Sequence, residues 1–227
     1  MAISITVSSR MAISITEDED LVSPNCLRYT IDFHGVPFTT TVTSTPKVVR
    51  KWLKTTLWRY SGVRHRLVVG LGVQWRPPSF SGEKTPVATL QLCVGRRCLI
   101  YQLLHSSTVP NLLRRFLMDP CHTFVGMGNS SDKRRLLLSS KHELEMIRDP
   151  VDVKHHAVSR YDGDIIGARA SREIIVKECL GLAVEFKEWV GRSNWEKYWL
   201  DEEQVLYAAV DAHCSFLIGK DLRAWEL

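Results

Sequence analysis

The chain has 227 residues, 44% of them apolar and 24% charged, enough to bury one sizeable core at ordinary globular composition. Its longest apolar run, Leu67 to Val73, is strand-sized against the ~20 residues of a membrane-spanning helix, and the first ten residues hold no apolar block of a secretory signal. A membrane partner is thereby excluded, and an intracellular protein of the nucleus or cytoplasm is expected.

Six cysteines without a C-x-x-C pair argue for reduced thiols and against a disulfide framework or a zinc site. The net charge of +5 is unevenly spread. Residues 26–141 hold 18 Lys/Arg against Asp32, Glu83, Asp119 and Asp132, whereas residues 142–227 hold 11 against 17 acids. A middle segment so poor in acid sets up a positive field suited to a polyanion, nucleic acid first; a solvated basic surface is the plainer alternative.

In chain order, residues 1–25 carry MAISIT twice, at 1–6 and 11–16, and then the acidic run Glu17 to Asp20. This composition has little to bury and predicts a flexible leader ahead of one domain at 26–227. Cys26 to Phe33 and Val36 to Val42, joined at His34-Gly35, predict a β-hairpin. Ser44-Thr45-Pro46 supplies a cap and an N1 proline to a helix burying Val48, Val49, Trp52 and Leu53. Strands follow at Leu67–Trp75, Val87–Val94 and Cys98–Leu103, the first apolar enough to be covered on both faces.

Next come a helix at Pro110–Met118, a strand at His122–Met127, a helix at Ser131–Ser139 and a short strand at Met146–Arg148, with helices to the end. Asp201 with Gln204 forms a capping box for a long final helix. The pattern predicts a mixed α/β sheet flanked by helices. Its functional crevice is expected at the carboxyl ends of the central strands.

Several stretches carry a resemblance. They are Leu67-Val-Val-Gly-Leu-Gly-Val-Gln-Trp75, Thr39 to Thr45, Thr85 to Gly95, Phe124-Val-Gly-Met-Gly128 with Asp132 after it, and Asp201 to Asp211 with Tyr207 between. From about Tyr29 to Trp225 the chain resembles the Werner-type 3′–5′ exonucleases, in the RNase H-like branch whose catalytic set is four carboxylates and a tyrosine. That resemblance implies hydrolysis of terminal phosphodiesters by two divalent cations, Mg²⁺ or Mn²⁺, held by carboxylate oxygens. It places Asp132 and Asp211 as metal-ligating acids and Tyr207 as the residue orienting the attacking water.

The first strand of the family carries Asp-x-Glu, whose two side chains alternation points to one face. Here those positions are Gly72 and Gln74. Gly72 has no ligand to offer and Gln74 keeps an oxygen without charge, so metal binding is expected to be weak or absent and the enzyme degenerate. Glu83, in the loop after the strand, is the one other acid nearby in sequence. Asp152 resembles a structural strand-to-helix acid.

Arg96 and Arg97, Arg114 and Arg115, and Lys133, Arg134 and Arg135 are the candidate phosphate contacts, with Trp75 and Trp195 as candidate stacking residues. Three functions follow. The first is a degenerate exonuclease binding single-stranded or 3′-terminal nucleic acid. The second is an active metal-dependent exonuclease with an altered ligand set. The third is a pseudoenzyme acting through protein contacts, in a homo- or hetero-oligomer with related subunits.

Overall fold

A computed structural model describes residues 13–18, 25–138, 140–160 and 170–227. Eight strands form one sheet: β1 (Ile13–Glu17), β2 (Cys26–Phe33), β3 (Val36–Thr43), β4 (Leu67–Gln74), β5 (Thr89–Val94), β6 (Arg97–Tyr101), β7 (His122–Gly126) and β8 (Val151–Asp152), in the order β1-β2-β3-β6-β5-β4-β7-β8. β3 with β6, β4 with β7 and β7 with β8 are parallel, and the other neighbours antiparallel. The expected mixed α/β sheet is therefore present. The helices are α1 (Pro46–Arg59), α2 (Asn111–Leu117), α3 (Asp132–Leu138), α4 (Val153–Arg160), α5 (Arg172–Leu180), α6 (Glu188–Gly191) and α7 (Glu202–Asp221).

The β2–β3 hairpin turns on His34 (φ 53°) and Gly35 (φ 80°), the two left-handed residues that a tight hairpin with right-twisted arms requires. α1 begins at Pro46 and buries Val49, Trp52, Leu53 and Thr56. Side-chain alternation separates the faces. Cys93 Sγ lies 3.5 Å from His213 of α7, while Arg97, one position from Cys98, donates to Thr56 of α1 at 2.7 Å and lies over the Trp52 ring. α7 thus covers one face and α1 the other. Buried leucines at 71, 90, 92 and 99 fill the interior, each contributing ~1.5–3 kcal/mol of burial.

α7 positions the site. Its capping box is formed as expected, with Asp201 accepting from Gln204 N at 3.0 Å and Gln204 returning the bond. Its flank sits directly on β4, because Gly70 has no Cβ: a methyl there would overlap the Ala212 carbonyl oxygen and come within 3.0 Å of Phe216 Cβ.

Three elements differ from expectation. Residues 13–17, placed in a flexible leader, form β1, with Ile13 and Ile15 half-buried against the core and paired opposite Phe33 and Ile31; residues 1–12 and 19–24 lie outside the described part. No strand forms at 146–148. The eighth strand is Val151–Asp152, beside Val125 and Gly126, while Met146 is buried without a strand partner. No disulfide joins the six cysteines, and Cys93 and Cys98 are directly opposed across the β5–β6 hairpin. No helix among the described residues is long and apolar enough to cross a membrane.

Candidate active site

Parallel neighbours β4 and β7 end side by side, and the chain leaving them opens a cavity of about 580 Å³. Gly72, Gln74, Asp132, Tyr207 and Asp211, the five positions singled out by the resemblance, all line it. β4 supplies Gly72 and Gln74, α3 supplies Asp132 from its first turn, and α7 supplies Tyr207 and Asp211 one turn apart. A Cβ on Gly72 would stand 3.6 Å from Asp211 Oδ2 and 2.8 Å from Gln91 Oε1. The missing side chain is therefore missing from the centre of the cavity.

The residue not anticipated from sequence is Arg172. Its guanidinium donates to Asp211 Oδ1 at 3.2 Å and to the Tyr207 hydroxyl, and it lies over the rings of Phe186 and Tyr207. A signal for it existed. Arg172 is the first residue of α5 after the Ser171 cap, and a cation at the positive end of a helix is unfavourable unless an acid elsewhere compensates. Asp211 is that acid. Gly191 makes room for the arrangement, since a Cβ there would lie 2.5 Å from the Tyr207 hydroxyl.

Burial raises the pKa of Asp211, against the lowering effect of Arg172. Burial raises Tyr207 as well, and again Arg172 opposes it. For Asp132, burial and then the Asp211 and Asp152 charges push the pKa up to about 8, with Arg135 acting the other way. The folded protein therefore keeps the Asp132 proton over a range in which the unfolded chain releases it, and this contribution to stability declines as pH rises from about 4 to about 8. Asp132→Asn is expected to remove that decline, so that its stability relative to wild type improves between pH 5 and pH 8. Urea denaturation at the two pH values measures it; an unchanged difference would show that Asp132 titrates normally.

The donors do not suit a pair of divalent cations. Asp211 is already ion-paired with Arg172, Gly72 contributes nothing and Gln74 offers only a neutral amide. Among the described residues no group of three or more His, Cys, Asp or Glu is gathered to hold a metal ion. Glu83 does not fill the gap, because its carboxylate is held by the Arg76 guanidinium and the Ser79 backbone N–H. Asp152 accepts from the backbone of Gly128 and Lys154 at 3.2 and 3.0 Å, tying the cavity edge to α4.

Of the candidate phosphate contacts, Lys133, Arg134 and Arg135 follow Asp132 on α3; none of the three lines the cavity, and Arg135 reaches its edge. The Arg135 guanidinium stacks on Trp75, 3.7 Å from the ring centroid. The other four are elsewhere. β5 runs antiparallel to β4, so its terminal turn, with Arg96, emerges at the opposite end of the sheet and lines a separate apolar cavity with His213 and Lys220. Arg97 is half-buried against α1, and burial first of all lowers its pKa to about 10. Arg114 donates to the carbonyls of His142 and Glu143, and neither it nor exposed Arg115 lines the cavity. Trp195 is 1% exposed and donates to the Gly191 carbonyl, so it packs beneath Tyr207 rather than offering a stacking face. Among the described residues, Arg172 and Arg192 are the arginines that line the cavity.

Comparison with known proteins agrees with this geometry. The chain is 32% identical over 161 residues to a 3′-5′ exonuclease of Arabidopsis thaliana, spanning 68% of this chain and 52% of that protein. It is 29% identical over 156 residues to the bifunctional 3′-5′ exonuclease/ATP-dependent helicase WRN of Mus musculus, spanning 68% of this chain and 11% of that protein. The chain thus spans about half or less of the length of these relatives. In fold it is similar to the Aedes aegypti Nibbler EXO domain, with a TM-score of 0.59 and 17% identity over 81% of this chain and 87% of that one. It is also similar to Escherichia coli RNase D, with a TM-score of 0.57 and 19% identity over 76% and 43%. The family model for 3′-5′ exonucleases matches residues 78–224, beginning just past the strand that carries Gly72 and Gln74. With α7, its cap and the β5–β6 hairpin all inside that span, the chain belongs to the 3′-5′ exonuclease family.

Proposed function

We propose that this chain is a nucleic-acid-binding member of its family that holds single-stranded or 3′-terminal nucleic acid without hydrolysing it efficiently. One observation carries the reading. Of the four carboxylates the resemblance asks for, two have counterparts in the cavity, Asp132 and Asp211, and an arginine is already paired with the second; the third acid among the described lining residues, Glu188, is offset by Arg192 at the rim. Losing a charged group from a site that relies on charge placement costs on the order of 10²–10³ in rate, and here two are absent. Support for retained binding comes from Arg172 in the cavity and from Lys133, Arg134 and Arg135 on α3, the helix whose first residue, Asp132, lines it.

The test pairs cleavage with binding. With 3′-labelled DNA or RNA and Mg²⁺ or Mn²⁺, wild type is expected to leave the strand intact, indistinguishable from Asp211→Ala. Affinity for the same strands is expected to fall with salt at a log–log slope of about −2 to −3, corresponding to three or four phosphate contacts. Trimming that Asp211→Ala abolishes would establish the active exonuclease instead. Absence of binding would leave the protein-partner function.

A further inference from the structure

Arg172 engages Asp211 through Oδ1, while Oδ2 of the same carboxylate faces the space left by Gly72. An arginine is permanently charged and presents five N–H donors in a planar fork that matches the spacing of phosphate oxygens. Among the described residues, Asp211 and Tyr207 take two of these donors, and the side chain remains 30% exposed to the cavity it lines. A second, independent feature belongs to the same cavity. Asn129 is 3% exposed and lines the cavity, and neither its amide nitrogen nor its amide oxygen has a hydrogen-bond partner among the described residues. A buried amide without a partner is a standing cost that a polar ligand would relieve. At the rim, Glu188 and Arg192 lie 3.6 Å apart and offset one another, so the cation at the base of the cavity is Arg172.

Resting on the nucleic-acid-binding reading above, we propose that Arg172 takes over the electrostatic role that divalent cations have in a four-acid site. Its guanidinium, anchored by Asp211 and Tyr207 in the cavity that Asn129 also lines, receives the terminal phosphodiester of a single strand, and binding needs no metal. The stacking of Arg172 on Phe186 and Tyr207 fixes the plane of the fork, which reduces the ordering cost of a two-point contact.

Anisotropy titration of a labelled single-stranded oligonucleotide with a free 3′ end tests this. Wild type is expected to bind equally well in EDTA and in Mg²⁺ or Mn²⁺, and to leave the electron paramagnetic resonance spectrum of added Mn²⁺ that of the free ion. Arg172→Leu is expected to weaken binding roughly ten- to hundredfold in either buffer, and Arg172→Lys, which keeps the charge but not the fork, to fall between. Loss of wild-type binding in EDTA, a bound-Mn²⁺ spectrum, or an Arg172→Leu protein that binds like wild type would each overturn the role of Arg172 while leaving the nucleic-acid reading intact. Failure of wild type to bind in any buffer would end both. Should Arg172→Leu not fold, the EDTA comparison and Arg172→Lys still decide.

Discussion

Gly72→Asp, Gln74→Glu and Arg172→Leu, introduced together, are expected to raise Mg²⁺-dependent release of nucleotides from a 3′-labelled strand by about 10²–10³ or more over wild type. The geometry admits the first change. A Cβ at 72 points at Asp211 Oδ2, and the atom in its way is Gln91 Oε1, the end of a flexible side chain rather than backbone. Residue 74 shares that face of β4 and already lines the cavity. The third change is what the structure adds to the sequence argument. Without it, the new carboxylates meet a cation already seated on Asp211, and the protein carrying the two acids alone is expected to gain much less. Time courses with an EDTA control measure the gain. A folded triple variant no faster than wild type, or a wild type already as fast as the triple, would contradict the account of why activity is lost.

Gly70→Ala is expected to lower stability by about 3 kcal/mol or more, near the upper end for overpacking a core. The added methyl would strike the Ala212 carbonyl, which belongs to the α7 backbone and cannot rotate aside as a side chain can. The helix would have to lift from β4, taking Tyr207 and Asp211 with it. For a domain of this size the melting temperature should fall by roughly 6–12 °C. Gly62→Ala is the control, because a Cβ at 62 meets nothing within 4 Å. A thermal melt of Gly70→Ala within about 2 °C of wild type would show that the seat of α7 is looser than its geometry indicates.

Much of this is legible in the sequence itself. Local chemistry wrote the hairpin at His34-Gly35, the proline start of α1 and the Asp201–Gln204 cap, and each formed as residue type dictates. The near-continuous apolar run of β4 identified the strand covered on both faces, and hence the crevice at its end. What escaped depends on partners distant in sequence. β1 exists because Ile13 and Ile15 find the edge of β2, a pairing that its own short, acid-flanked segment does not announce. A two-residue strand such as β8 has too little alternation to show. Charge alone points Arg96 and Arg97 to the site, although the reversal of chain direction between β4 and β5 sends their turn to the far end of the sheet. Arg172 stands 39 residues from Asp211, and only the misplaced charge at the start of a helix hinted that the two meet.

The pairing of Arg172 with Asp211 also makes each side chain dependent on the other. Dropping the arginine alone would strand a carboxylate in the interior without its counter-charge, and adding acids on β4 alone would find the cation already committed. Each change made singly therefore achieves less than the changes made together. Asp211 thus serves as the arginine's anchor whether or not any strand is ever cut.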